Sequence, residues 1–178
     1  MTLFLIFVAA FILLSQKTAC AYTDYEDEIV DAIKNYLDSD DWKYSFDGED
    51  KTFSFNIRID GKLKNLRYII FVRPECYTVY ALSPVNADIE DSQAMGRMAD
   101  FICRANYGLR NGNFELDMRD GELRYKTFVD CAELVPSAEV VKNSIMLPAF
   151  MFEKYSPGML DIIFKEATAE EAIEKCEE

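Results

Sequence analysis

Phe53-Ser54-Phe55-Asn56-Ile57-Arg58-Ile59 alternates apolar and polar side chains without a break, and Trp42, Tyr44 and Phe46 do the same just before it. Successive side chains of a β-strand point to opposite faces, so this alternation predicts two strands with one face on a core and the other toward water. They run antiparallel and turn near Asp47-Gly48. Toward the C-terminus, Asp60-Gly61 marks another turn, and Leu66–Val72 and Tyr77–Leu82 read as further strands separated at Pro74-Glu75. Toward the N-terminus the period becomes helical: Ile29, Ile33, Tyr36 and Leu37 share a face, and Thr23 with Glu26 forms a capping box. A first helix is therefore expected over residues 24–38.

Helical spacing returns between Asp88 and Tyr107, where Met95, Met98, Ala99, Ile102 and Ala105 form one stripe and Gly108 is placed to end the helix. Phe114, Leu116 and Met118 then alternate up to Asp120-Gly121, a strong hairpin signal, with Leu123 and Tyr125 beyond it. A two-residue loop there would pair Arg119 with Glu122, Asp117 with Arg124 and Glu115 with Lys126, each pair opposite in charge. After Pro136 the tail reads as separate helical pieces, one starting at Ser137, one opening at Ser156-Pro157, and a third capped by Thr168 with Glu171. The order is helix, three or four strands, helix, two strands, helices. One-sided strands in that order predict a two-layer α+β domain, with helices packed on one face of an antiparallel sheet.

The chain has 178 residues, 19 Lys plus Arg against 32 Asp plus Glu, and half of its residues are apolar, as in one soluble globular domain. A formal charge of −13 leaves no basic footprint for nucleic acid. With no histidine, Ser-His-Asp and Cys-His nucleophiles, imidazole bases and His-ligated zinc are excluded. The acidity is concentrated at the two ends: residues 22–50 carry eleven acids and two bases, residues 165–178 six acids and two bases. Solvated helix faces and loops are the plain reading of these ends, and a surface that attracts a basic partner is the sharper one. Cys20, Cys76, Cys103, Cys131 and Cys176 contain no CxxC pair, so free thiols are expected and no metal site is indicated.

Leu3 to Leu14 form an apolar run followed by Ala19-Cys20-Ala21, the pattern of a secretory leader cleaved before Tyr22. Residues 1–21 are therefore set apart as a signal-like leader, and 22–178 as a single domain. Export is favoured slightly over the rival reading, a mis-assigned start upstream of a cytoplasmic domain. The run is too short to span a bilayer comfortably, so membrane contact would come only through an uncleaved leader.

No Gly-rich phosphate cradle is present, and Glu115 and Asp117 have cross-strand Arg and Lys partners available, which argues against a glycosidase-like carboxylate pair. Asp38, Asp40 and Asp41 lack the spacing of a calcium loop. One surface stands out. On the strand 66–72, Leu66, Tyr68, Ile70 and Val72 face the core, leaving Arg67, Ile69, Phe71 and Arg73 in line on the face expected to be wet. Ile69 and Phe71 need covering, either by a C-terminal helix or by a partner: an extended peptide, or a dimer mate contributing its anionic tail or N-terminal helix.

Asn106-Tyr107-Gly108-Leu109, Gly112-Asn113-Phe114-Glu115-Leu116-Asp117, Asp120-Gly121-Glu122, Tyr125 and Tyr155-Ser156-Pro157-Gly158 together resemble the YbjN family of bacterial sensory-transduction regulators, over about residues 22–178. The resemblance implies a fold like that of the type III secretion chaperones, with helix, three strands, helix, two strands, helix. It also implies a non-catalytic binding or regulatory role, with no catalytic residues, cofactor or metal to carry over. The expectation is a protein-binding module recognising a protein or peptide, with a homodimer as one form. The alternatives are an enzyme using carboxylates or a Ser-Lys pair, and an exported binding domain.

Overall fold

A computed structural model of the chain describes residues 25–132 and 134–178. The first helix, α1 (Glu26–Ser39), buries Ile29, Val30, Ile33, Tyr36 and Leu37, the face given by their spacing. Glu26, Asp27 and Glu28 occupy its first turn, where the positive end of the helix dipole favours carboxylates. Tyr25 is the N-cap residue, and its backbone N–H donates to the Pro74 carbonyl at 3.2 Å. The expected cap at Thr23 lies outside the described residues.

Four strands follow: β1 (Tyr44–Asp47), β2 (Thr52–Arg58), β3 (Asn65–Arg73) and β4 (Cys76–Leu82). The middle helix α2 (Ser92–Asn106) then leads to β5 (Asn113–Leu116) and β6 (Leu123–Asp130), and the chain ends in α3 (Ala138–Lys165) and α4 (Ala169–Glu177). The six strands form one antiparallel sheet in the order β1-β2-β3-β4-β6-β5. Four strands precede α2, one more than the resemblance implied. Alternation decides the sides. Leu66, Tyr68, Ile70 and Val72 on β3, with Tyr77, Val79 and Ala81 on β4, are completely buried. The helices pack over this inner face, with α1 on β3 and β4, α3 on β4 and β6, and α2 on β5, while α4 rests on α3 and α2. A buried bond of 2.9 Å between the hydroxyls of Tyr77 and Ser144 ties β4 to α3. The two-layer α+β arrangement with helices on one face is thus what the molecule adopts.

Two local expectations are corrected. The tail after Pro136 is not broken at Ser156-Pro157: α3 runs through both Pro148 and Pro157 for 28 residues. A proline inside a helix costs roughly 3 kcal/mol. Here Val141, Ile145, Ala149, Phe152, Tyr155, Met159 and Ile162 are all buried along that helix, and such packing outweighs local propensity. Beside Pro157, a Cβ on Gly158 would stand 2.6 Å from the Ala172 carbonyl oxygen and 2.7 Å from the Phe101 ring, so the small residue lets α4 and α2 close on α3. The capping box of Thr168 and Glu171 opens α4 as the spacing predicts.

The second correction concerns the β5–β6 hairpin. Glu115 lies opposite Arg124 and Leu116 opposite Leu123, a register two residues away from the one that an Asp120-Gly121 turn would impose. A two-residue type I′ turn needs positive φ at both central residues, and of that pair only Gly121 has it, at 74°. The chain instead closes a longer loop, in which Asp117 accepts from the backbone N–H of Arg119 on its side chain and of Gly121 on its carbonyl, while its own N–H donates to Glu122. Strand β5 ends at Leu116, and Met118 is 60% exposed in the loop. A shift of two keeps every side chain on its face, so the charged row remains on the outer side.

The sheet has two edges, and they are treated differently. At β5 the side chain of Asn106 stands in for a neighbouring strand: its Nδ2 donates to the Phe114 carbonyl at 2.9 Å and its Oδ1 accepts from the Phe114 N–H at 2.8 Å. That amide closes the edge against pairing with another chain. At the other edge β1 is only four residues long.

Two substitutions test these local arrangements. A Cβ on Gly121 would lie 2.0 Å from the Ala87 carbonyl oxygen, whereas Gly61, also at positive φ, has nothing within 4 Å. Gly61→Ala should therefore cost only the backbone strain, about 1–3 kcal/mol, and Gly121→Ala clearly more. Thermal melts of the two variants give the ranking, and equal midpoints would contradict the packing of Gly121 on Ala87. Asn106→Ala, which leaves the Phe114 N–H without its partner, should lose about 1–3 kcal/mol in urea unfolding, with Asn106→Asp between it and wild type.

Candidate functional site

The helices cover only one side of the sheet, which leaves the outer face to be accounted for residue by residue. Strand register places side chains on it in rows. One row crosses Ser45, Ser54, Ile69, Tyr80, Lys126 and Asn113, and the next crosses Asp47, Thr52, Phe71, Thr78 and Phe128. A third crosses Asn56, Arg67, Leu82, Arg124 and Glu115.

Arg67, Ile69, Phe71 and Arg73 stand in line on this outer face, with the arginines exposed and Ile69 and Phe71 half-buried by their neighbours. Among the described residues no helix lies over them. The C-terminal helix α4, one of the expected covers, packs on α3 and α2 at the opposite side, and the described part of the N-terminal segment, α1, is on the inner face as well. Phe71 meets Tyr80 edge to face, with ring centroids 6.0 Å apart, and the Arg73 guanidinium lies 5.9 Å from the Phe71 ring centre. Arg73 also donates to the Val72 carbonyl at 2.7 Å, which folds it back along its own strand.

The sequence reading missed the other half of the patch. Tyr80 and Phe128 extend the apolar strip across β4 and β6, and Phe128 is 54% exposed. The signal was available, because both residues have the opposite parity to the buried Tyr77, Val79 and Tyr125. Arg124 lies over the Tyr80 ring at 4.4 Å. Beside the strip the small side chains of Ser45 and Ser54 leave two hollows. One of about 350 Å³ is lined by Lys43, Ser45, Ser54, Asn56 and Arg67, and the other, of about 670 Å³, by Asp47, Asp50, Thr52 and Phe71.

Charge on the face is uneven. Glu115 is gripped by Arg124 Nε and Lys126 Nζ, each at 2.7 Å. Burial raises its carboxyl, but those two hydrogen bonds and the charges behind them outweigh burial and hold it below the usual glutamate value. The Arg119 side chain and backbone N–H hold Asp117 down to about 2. Glu115 and Asp117 are therefore both held by arginine or lysine. Lys51 pairs with Asp27, and Lys165 and Lys175 both pair with Asp161, so these lysines engage carboxylates and not serine hydroxyls. Ser144 is committed to Tyr77 and to the Val141 carbonyl. Burial pushes the Cys131 thiol up to about 11 and the Cys76 thiol above its ordinary value, which disfavours the thiolates. Among the described residues no three Cys, Asp or Glu side chains converge as metal ligands would.

Comparison with known proteins gives the lineage. The crystal structure of YbjN from E. coli is similar, with 12% sequence identity, a TM-score of 0.49, and 76% of this chain and 89% of that chain covered. The structure of the HopA1–SchA chaperone–effector complex is similar at 14% identity and a TM-score of 0.45, covering 71% of this chain and 91% of that one. No curated protein sequence matches. The family model described as "YbjN: Putative bacterial sensory transduction regulator" matches residues 30–159, from the middle of α1 to the last turns of α3, and the chain belongs to that family.

Proposed function

We propose that the protein is a non-catalytic binding module whose working surface is the uncovered face of the sheet. The observation that carries this reading is the contiguous strip of Ile69, Phe71, Tyr80 and Phe128 on a face over which no described helix packs. Four large apolar side chains in one patch are what a partner would bury, at ~25 cal/mol per Å² of apolar surface before the costs of association. Arg67 and Arg73 at the two ends of the β3 line favour carboxylates on whatever lies across them. The partner class is thus a polypeptide with an apolar surface and acidic residues at its margins. Family membership, under a description that names sensory transduction, agrees with a role in regulation. If the signal-like leader is removed before Tyr22, that partner is met outside the cytoplasm.

Photo-cross-linking tests the reading. A benzoylphenylalanine in place of Phe71 in the full chain, expressed in its native cells, should yield discrete polypeptide adducts on irradiation. The same group in place of Tyr107, which is 92% exposed at the end of α2, should yield none of them. The absence of adducts from position 71, or the same adducts from both positions, would overturn the assignment of the face.

A further inference from the structure

The strand ladder shows which backbone groups lie free along β1. The Val72 N–H donates to the Lys51 carbonyl at 3.0 Å and the Ile59 N–H to the Lys64 carbonyl at 2.9 Å, one just beyond each end of the β2–β3 pairing. Hydrogen-bonded and non-bonded pairs alternate in an antiparallel ladder, so the odd-numbered residues of β2 bond to β3 and the even-numbered ones to β1. Ser45 lies opposite Ser54 and Asp47 opposite Thr52, so Ser45 and Asp47 take those bonds. Tyr44 and Phe46 therefore turn their N–H and C=O groups away from the sheet, and no hydrogen bond among the described residues uses them. Their side chains are fixed on the inner side, Tyr44 by a 3.0 Å bond from its hydroxyl to Asp38 and Phe46 under the Lys34 ammonium, 4.1 Å from its ring centre.

On the outer side the same edge opens onto both hollows, because the small Ser45 lines each of them. Lys43 and Arg67 stand on either side of Asn56 in the first hollow, no carboxylate lines it, and neither cation has an ion-pair partner among the described residues. The acids nearest in sequence lie elsewhere: Asp38 is taken by Tyr44, and Asp40 and Asp41 stand in the turn ahead of β1. The second hollow has the Phe71 ring as its apolar wall. Asp47 and Asp50 line it and Arg73 reaches the Asp50 carbonyl at 3.4 Å, so charge of both signs surrounds it and the ring is what distinguishes it.

We propose that a strand of the partner polypeptide extends the sheet at β1, placing an acidic side chain in the first hollow and a large apolar side chain, two residues away, against Phe71 in the second. The inference rests on the binding face proposed above and names the form its occupant takes. An added strand lies about 4.8 Å from β1, and its side chains on the outer face are about 6.8 Å apart, the same step as from Ser45 to Asp47. Main-chain pairing attaches such a strand, and the hollows select its sequence. Only Tyr44 and Phe46 offer backbone groups, so pairing alone is weak and a generic extended chain is not held. A carboxylate between Lys43 and Arg67 gains charge-assisted hydrogen bonds that a neutral side chain lacks.

The test is selection of random peptides, displayed on phage, against the immobilised full chain, followed by fluorescence anisotropy of a synthetic peptide carrying an enriched sequence. Enriched sequences should hold Asp or Glu two positions from Phe, Leu, Ile or Trp. Ser45→Trp blocks the way from the edge into both hollows, and Lys43→Glu with Arg67→Glu reverses the charge of the first. All three residues are exposed, circular dichroism confirms folding, and each variant should bind at least about tenfold more weakly. Methylating the peptide amides that face β1 should abolish binding, and methylating the alternate amides should spare it. Failure to enrich any sequence, sequences without that spacing, or equal effects of the two methylation patterns would overturn the inference. So would undiminished binding to Ser45→Trp; if that binding is lost in Phe128→Ser, the outer face keeps its role and only the edge is excluded. A wild-type chain that self-associates and turns monomeric on Ser45→Trp would give the edge to a second copy, which also overturns it.

Discussion

The burial of Tyr68, Ile70 and Val72 beneath the helical layer is the constraint on which the other features depend. β3 is the longest strand and runs through the middle of the sheet, so its inward residues decide which side the helices take. Once they are inside, the pleat forces Arg67, Ile69, Phe71 and Arg73 outward. The outer patch is therefore a geometric consequence of the core. Its composition is not, since solvated strand faces are ordinarily polar and this one holds Ile69, Phe71, Tyr80 and Phe128 together.

Several devices keep that face as the available surface. The Asn106 amide closes the β5 edge, β1 is short, and α4 is held on α3 and α2 by its capping box, by the close approach at Gly158 and by the pairing of Lys175 with Asp161. The anionic ends of the chain, in α1 and α4, lie with the helices and do not neutralise the arginines of the sheet within one molecule. The acids of α1 and α4 therefore sit in the helical layer, while Asp47, Glu49 and Asp50 of the same N-terminal stretch stand at the β1–β2 end of the sheet.

Much of this was legible in the residues because it is local. Period-two alternation in 53–59 and 66–72 and helical spacing in 29–37 translate into burial one position at a time, and each matched. The hairpin failed for a physical reason: the charges at 115, 117, 119, 122, 124 and 126 favour the shorter turn, since the observed register keeps Glu115 opposite Arg124 but sets Asp117 beside Glu122, and exposed cross-strand pairs are worth too little to decide the register. The contact of Gly121 with Ala87, which favours the longer loop, joins residues distant in sequence. Pro148 and Pro157 misled in the same manner, since local propensity at a proline says stop while tertiary packing carries α3 on. That no described helix lies over Phe71 depends on where α4 docks, and no pattern within residues 66–73 encodes that.

The sidedness of β3 is tested most directly by one pair of neighbouring substitutions. Ile69→Asp and Ile70→Asp place the same carboxylate on adjacent residues, one on the outer face and one completely buried. Compared by urea unfolding at low protein concentration, Ile69→Asp should melt cooperatively within about 1 kcal/mol of wild type, and Ile70→Asp should lose upward of about 4 kcal/mol or fail to fold. Equal losses at the two positions, or a tolerated Ile70→Asp, would contradict a sheet with one buried and one open face.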